Sequence, residues 1–194
     1  MASPITYEAA AALVAARLSP PAADHSRRVA ETAGVLAVRY GVDEDSARLA
    51  GLLHDWDREQ SSEQLFAAAT SAAIEVSSAD KTVPYLLHAR TGASALRGTF
   101  PDLSDEVVTA VAHHTVGSVD MSDLDKVVYV ADMIEPGRDY PGVEPLRELA
   151  TSAGLPELFA SAYQQSILHL ISSRKRIHPD TVSVWNALVA GERP

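Results

Sequence analysis

The 194-residue chain has no cysteine, which excludes disulfides and thiolate metal sites; any transition metal must be held by imidazole nitrogens and carboxylate oxygens. Basic residues are few, 16 Lys and Arg against 26 Asp and Glu for a net charge of -10. That balance gives no cationic footprint for a nucleic-acid polymer. A small phosphorylated ligand stays compatible, because a bound cation inverts the local charge. No window reaches the roughly 18 apolar residues of a membrane span. Met1 to Leu18 lacks the basic start and long apolar core of a secretory signal. No Gly/Ser-rich linker divides the chain. The expectation is one domain over residues 1–194, with a core from about 22 to 190. It should be soluble, suited to a reducing cytoplasm, without a membrane partner, and a homodimer is allowed.

Hydrophobic residues make up 46% of the chain and aromatics only 6%. Helix formers dominate and no strand pattern is evident, so the fold class expected is all-α, a bundle of about eight to ten helices. A first helix should run from Thr6 to Leu18 and stop at Ser19-Pro20-Pro21. A second, capped by Asp24, repeats His25, Val29 and Leu36 up to Tyr40-Gly41. A third, capped by Asp43, is apolar nearly all round and ends at His54-Asp55, as a central helix should. Ser61 or Ser62 opens a fourth; Thr70 to Ala79 reads as a loop or weak helix. His88 leads into a helix rich in small residues. Ser104 caps the next, where His114 shares a stripe with Val107 and Val111. His113 is rotated about 100° away, toward solvent. Ser122 caps a helix carrying Leu124, Val128 and Asp132 on one stripe, and Val143–Ala150, Pro156–Arg174 and a helix after His178 complete the chain.

His25, His54, His88 and His114 therefore sit on or beside apolar stripes, as do Asp55 and Asp132. A lone inward histidine or aspartate is commonly a satisfied core residue or cap. Six together must satisfy one another or a cation, because unpaired buried imidazoles and carboxylates are costly.

The order His25, His54-Asp55, His88, His114, Asp132 resembles the HD superfamily of metal-dependent phosphohydrolases. The segment Tyr129 to Val143, with Leu146-Arg147 and Ile177-His178-Pro179-Asp180-Thr181, is similar to the YqeK-type symmetrical bis(5′-nucleosyl)-tetraphosphatases, over about His25 to Asn186. The resemblance implies two divalent metal ions, with iron the metal of that family and manganese or another divalent ion an alternative. It implies His25, His54, Asp55 and Asp132 as a four-ligand core, Asp55 as bridge, and His88 and His114 on the second metal. It assigns His54 and Asp55 to catalysis. The expected reaction is cleavage of diadenosine tetraphosphate into two ADP by a metal-bridging hydroxide, with the cations about 3.5–4 Å apart.

Outside the ligand set the chain departs from that pattern. The loop His113 to Met121 has neutral Ser118 and nearby Asp120 where the family carries an arginine, and Trp56-Asp57-Arg58 replaces Tyr-Ala-Lys. These changes leave open a different HD phosphohydrolase acting on a mononucleotide or another signalling nucleotide. The non-enzymatic alternative is a nucleotide-binding HD protein. Arg58, Arg90, Lys126 and Arg138 are the candidate phosphate-binding cations, each equally readable as a surface ion pair. His113 is a candidate donor to a leaving phosphate. His169 and His178 read as structural, and Trp56 and Tyr140 as packing aromatics that could also stack on a base.

Overall fold

A computed structural model describes residues 5–191; the ends of the expected 1–194 domain, residues 1–4 and 192–194, lie outside that range. Among the described residues every regular element is helical. In order these are α1 (Tyr7–Arg17), α2 (Pro20–Tyr40), α3 (Glu44–Leu53), α4 (Ser62–Ser71) and α5 (Ser78–Thr82), then a 3-10 turn (Pro84–Leu87) and α6 (His88–Thr99). They continue with α7 (Asp105–His113), α8 (Asp123–Ile134), α9 (Val143–Ser152), α10 (Leu155–Ser172) and α11 (Pro179–Ala190). The all-α expectation of about eight to ten helices holds, with eleven among the described residues. The additional element, α5, is a five-residue helix that begins at the end of the Thr70–Ala79 stretch expected to be loop or weak helix and runs past it. It forms because Ser77 and Asp80 make a reciprocal capping box.

Most helix starts sit where the sequence signals them. Asp43 accepts from the Ser46 amide, Ser104 from Val107, and Ser61 and Ser122 form capping boxes with Gln64 and Asp125. Helix α2 is the exception: its cap is Ser19, not Asp24, and Pro20 occupies the first helical position. Proline costs little there, since its missing N–H has no intrahelical partner to lose. Asp24 instead pairs with Arg27 on the exposed face.

Helix α8 is the most enclosed, with nine of its twelve residues buried. Helix α2 packs along both α3 and α8, and α7 packs against α3, α6 and α8. The approach of α2 to α3 requires Gly51, where a Cβ would lie 3.0 Å from the Ala30 Cα. These contacts bring the end of α3, the starts of α2 and α6, and the ends of α7 and α8 toward one point. A smaller apolar cluster of Leu65, Ala69 and Leu87 sits beneath α4 and the 3-10 turn.

Candidate metal centre

The six residues picked out by periodicity converge. His54 and Asp55 follow the last turn of α3; His88 begins α6; His114 caps the end of α7; His25 comes from α2 and Asp132 from α8. His54 and Asp55 are fully buried, and His88 and His114 nearly so. His25 and Asp132 keep side-chain exposures of 12% and 19%, on the open side.

The carboxylate of Asp55 divides its oxygens between two histidine pairs. Oδ2 lies 3.2 Å from His54 Nε2 and 3.7 Å from His25 Nε2. Oδ1 lies 3.3 Å from His88 Nε2 and 3.7 Å from His114 Nε2. Asp132 Oδ1 closes the first group at 2.9 Å from His25 Nε2 and 3.7 Å from His54 Nε2.

The other ring nitrogen of each histidine is committed elsewhere. Nδ1 donates to the carbonyl of Gly51 from His54 (2.7 Å), of Tyr85 from His88 (2.6 Å) and of Val111 from His114 (2.7 Å). His25 Nδ1 donates to Glu135 Oε1 at 3.1 Å. Each bond fixes the tautomer and turns an Nε2 lone pair inward, as metal-ligating imidazoles require. Two consequences point to cations. His88 and His114 face each other Nε2 to Nε2 at 3.0 Å, an arrangement of two lone pairs that a shared positive charge relieves. His54 Nε2 and Asp55 Oδ2 are buried without a hydrogen-bond partner among the described residues. The donor set of imidazole and carboxylate suits a divalent transition ion.

The electrostatics of the two carboxylates and of His114 agree; at His54 burial opposes the charge, but Asp55 and Asp132 outweigh it and raise the pKa. Burial disfavours the Asp55 carboxylate, but His54, His114 and His88 around it outweigh that and hold its pKa well below the usual range. Burial likewise opposes ionised Asp132, and His25, His54 and Arg138 overcome it, lowering its pKa. Burial lowers the pKa of His114, with His54 and His88 adding to the effect against Asp55. Its imidazole is thereby kept neutral, the form that can ligate.

The four candidate phosphate-binding cations divide. Arg58 Nη1 lies 3.1 Å from Asp55 Oδ2 with its guanidinium over the Tyr85 ring, at the mouth of the centre. Arg138 donates to the Asp132 carbonyl and side chain, and its Nη2 lies 3.5 Å from His25 Nε2. Arg90 instead pairs with buried Asp80 at 2.7 Å, and Lys126 is 95% buried (5% exposed), its nearest acid being Asp123 at 3.5 Å. His113 is half-buried rather than solvent-facing, because Asp125 Oδ2 lies 2.8 Å from its Nδ1. Trp56 packs against Phe100 and under Arg17, and His178 caps α11.

Sequence reasoning missed Glu135. It is buried, accepts from His25, Arg28 (Nε, 2.5 Å) and the Gly137 amide (2.5 Å), and so fixes the His25 ring. Its only sequence signal is a position three residues after Asp132, on the same helical face. Tyr85 was missed as well; it stands three residues before His88, lines the mouth, and burial pushes its phenol up to about 12.

An all-helical bundle whose buried His-Asp doublet meets three further histidines and a second aspartate is the arrangement of the HD domain family, and the chain belongs to it: the family's model, described as HD domain, matches residues 22–137. It is an HD phosphohydrolase whose His/Asp clusters could hold divalent metal ions. The chain is 31% identical, over 95% of its length and 98% of the relative's, to a Bacillus subtilis protein named symmetrical bis(5′-nucleosyl)-tetraphosphatase. A Halalkalibacterium halodurans protein of the same name is 32% identical over 93% and 96% of the two chains. A crystal structure from Clostridium acetobutylicum, titled a predicted HD superfamily hydrolase involved in NAD metabolism, superposes with a TM-score of 0.90. It is 29% identical and covers 98% of this chain and 100% of its own.

Proposed function

We propose that the chain, acting as one HD domain, cleaves diadenosine tetraphosphate symmetrically into two ADP at a dinuclear metal centre. In this reading His25, His54, Asp55 and Asp132 hold one divalent ion, and Asp55, His88 and His114 the other. The observation that carries it is the division of Asp55 Oδ1 and Oδ2 between two histidine pairs; the names of relatives that match nearly end to end support the substrate. When bound, two such ions lower the pKa of a water and draw charge from phosphate oxygens. The chain's own groups do the rest. Four imidazoles aim Nε2 inward, and Asp55 stays ionised between them. Arg58 and Arg138 present guanidinium N–H groups to phosphate oxygens at the mouth. The Tyr85 phenol, with its pKa near 12, remains a neutral donor there.

Iron is the proposed metal and the cytoplasm the proposed compartment; among the described residues no helix is long and apolar enough to cross a membrane. The test is product analysis with the iron- or manganese-loaded chain. Two ADP per tetraphosphate supports the reading. ATP with AMP, or inorganic phosphate from a mononucleotide with the tetraphosphate left intact, overturns it. Elemental analysis of protein purified without oxygen assigns the metal.

A further inference from the structure

A cavity of about 650 Å³ lies between the end of α8, the 138–141 loop and α10. Its size falls within the roughly 300–1,000 Å³ of small-molecule sites. It adjoins the metal centre, since Met133 and Ser166 line both spaces. Arg138 stands at the junction, facing the cavity while its Nη2 reaches Asp132 and approaches His25 Nε2. A ligand with phosphates at the centre and its far end in the cavity would therefore lie against a guanidinium.

The walls suit a flat, weakly polar group. Tyr140 and Met133 supply an aromatic ring and a thioether. Across from them Leu168 and Ile171 are 50% and 58% exposed, a pair of aliphatic side chains that a ligand would cover. One polar group has a fixed orientation. Gln165 lies half-buried, and its Nε2 donates to the Pro141 carbonyl at 2.8 Å. A carbonyl can only accept, so the amide cannot be flipped. Gln165 lines the cavity, and its Oε1 is left as the acceptor of the side chain, with no described residue donating to it. Gly142, at φ +102°, leaves room for this group; a Cβ there would lie 2.6 Å from Gln165 Nε2.

We infer that this cavity seats one nucleoside of the substrate, and that Gln165 Oε1 selects a base carrying an exocyclic amino group. The inference rests on the dinucleotide reading above and adds to it a site and a base preference. Adenine offers an amino hydrogen to that acceptor. Hypoxanthine, the same ring system with a carbonyl in its place, sets oxygen against oxygen.

Calorimetric titration of the manganese-loaded chain with ADP, inosine diphosphate and pyrophosphate tests it without turnover. The wild type should prefer ADP over inosine diphosphate by roughly tenfold, the scale of one hydrogen bond set against an unpaired acceptor. Gln165→Met should bring that ratio close to one. Ile171→Trp, at an already exposed position, should fill the cavity and weaken both diphosphates by about tenfold or more, with pyrophosphate unchanged. Equal wild-type affinities for the two diphosphates, or ADP binding indifferent to Ile171→Trp, overturns the inference. If the chain cleaves no dinucleoside tetraphosphate yet shows these dependences, the reaction reading fails and the nucleoside site stands. If it cleaves the tetraphosphate and Ile171→Trp alters neither ADP affinity nor KM, the reverse holds.

Discussion

Glu135 accepts a hydrogen bond from His25 Nδ1 at 3.1 Å while its second oxygen is gripped by Arg28 and the Gly137 amide. Burial works against its charge, and Arg28, Gly137 and His25 together lower its pKa regardless. A carboxylate in this position orients its histidine and raises the basicity of the inward nitrogen. Glu135→Gln should therefore weaken metal binding about 10–100-fold. The loss should fall on the His25 side of the centre, so metal titration should show one ion weakened more than the other.

Asp55→Ala should remove both ions and all turnover, because both histidine pairs converge on that one carboxylate. His88→Ala and His25→Ala should each leave one ion per chain. Elemental analysis reads the stoichiometry directly. Two ions retained by Asp55→Ala would mean that the carboxylate does not bridge.

Two of the basic candidates, Arg58 and Lys126, should separate by kinetics. Arg58→Ala should raise KM by roughly tenfold, with partial recovery in Arg58→Lys, which keeps the charge and loses the fork. Lys126→Ala should leave KM alone and lower Tm, since Lys126 is buried and its nearest acid is Asp123. Paired kinetics and thermal melts of both variants give the comparison.

Asp80 offers a pH test away from the metal. Burial raises its pKa, but hydrogen bonds from Arg90 and Ser77 more than offset this and the net shift is downward. A depressed folded pKa gives stability that is present above the unfolded value of about 3.9 and is lost as pH falls through the folded one. Asp80→Asn should thus cost about 1.5–3 kcal/mol near neutrality, the scale of a hydrogen bond to a charged group. The gap to wild type should shrink below about pH 4, as denaturant melts across pH will record.

Gly51→Ala should destabilise the fold by about 1–3 kcal/mol, the usual cost of overpacking. The added methyl meets the Ala30 backbone, so α2 must move from α3, carrying His25 away from His54. Lowered metal occupancy should accompany the lowered Tm.

The convergence of the six candidate ligands was legible because apolar periodicity fixes which way a helical side chain faces. The choice of His114 over His113 shows this: His114 Nε2 reaches Asp55, and His113 turns to Asp125. Arg90 and Lys126 were not legible. A long flexible side chain finds whichever acid the fold brings near, and for Arg90 that acid lies on α5, in a stretch without a clear helical signal. Glu135 was hidden because Glu135-Pro136-Gly137 reads as a helix end, where a carboxylate normally points to water. The start of α2 was misread for a related reason, since proline signals a break behind it and a permitted start ahead of it.

Three of the proposed ligands are steadied by a carbonyl three residues earlier in their own chain: Gly51 for His54, Tyr85 for His88 and Val111 for His114. A carbonyl is present whatever side chain its residue carries. The intervening positions, Leu52-Leu53, Leu86-Leu87 and Ala112-His113, can then change their side chains for packing without altering the grip on the ring. The arrangement makes each ligand a self-contained unit, a helix end plus one histidine. His25 alone borrows its anchor from a distant side chain, and this makes it the corner of the centre most vulnerable to sequence change.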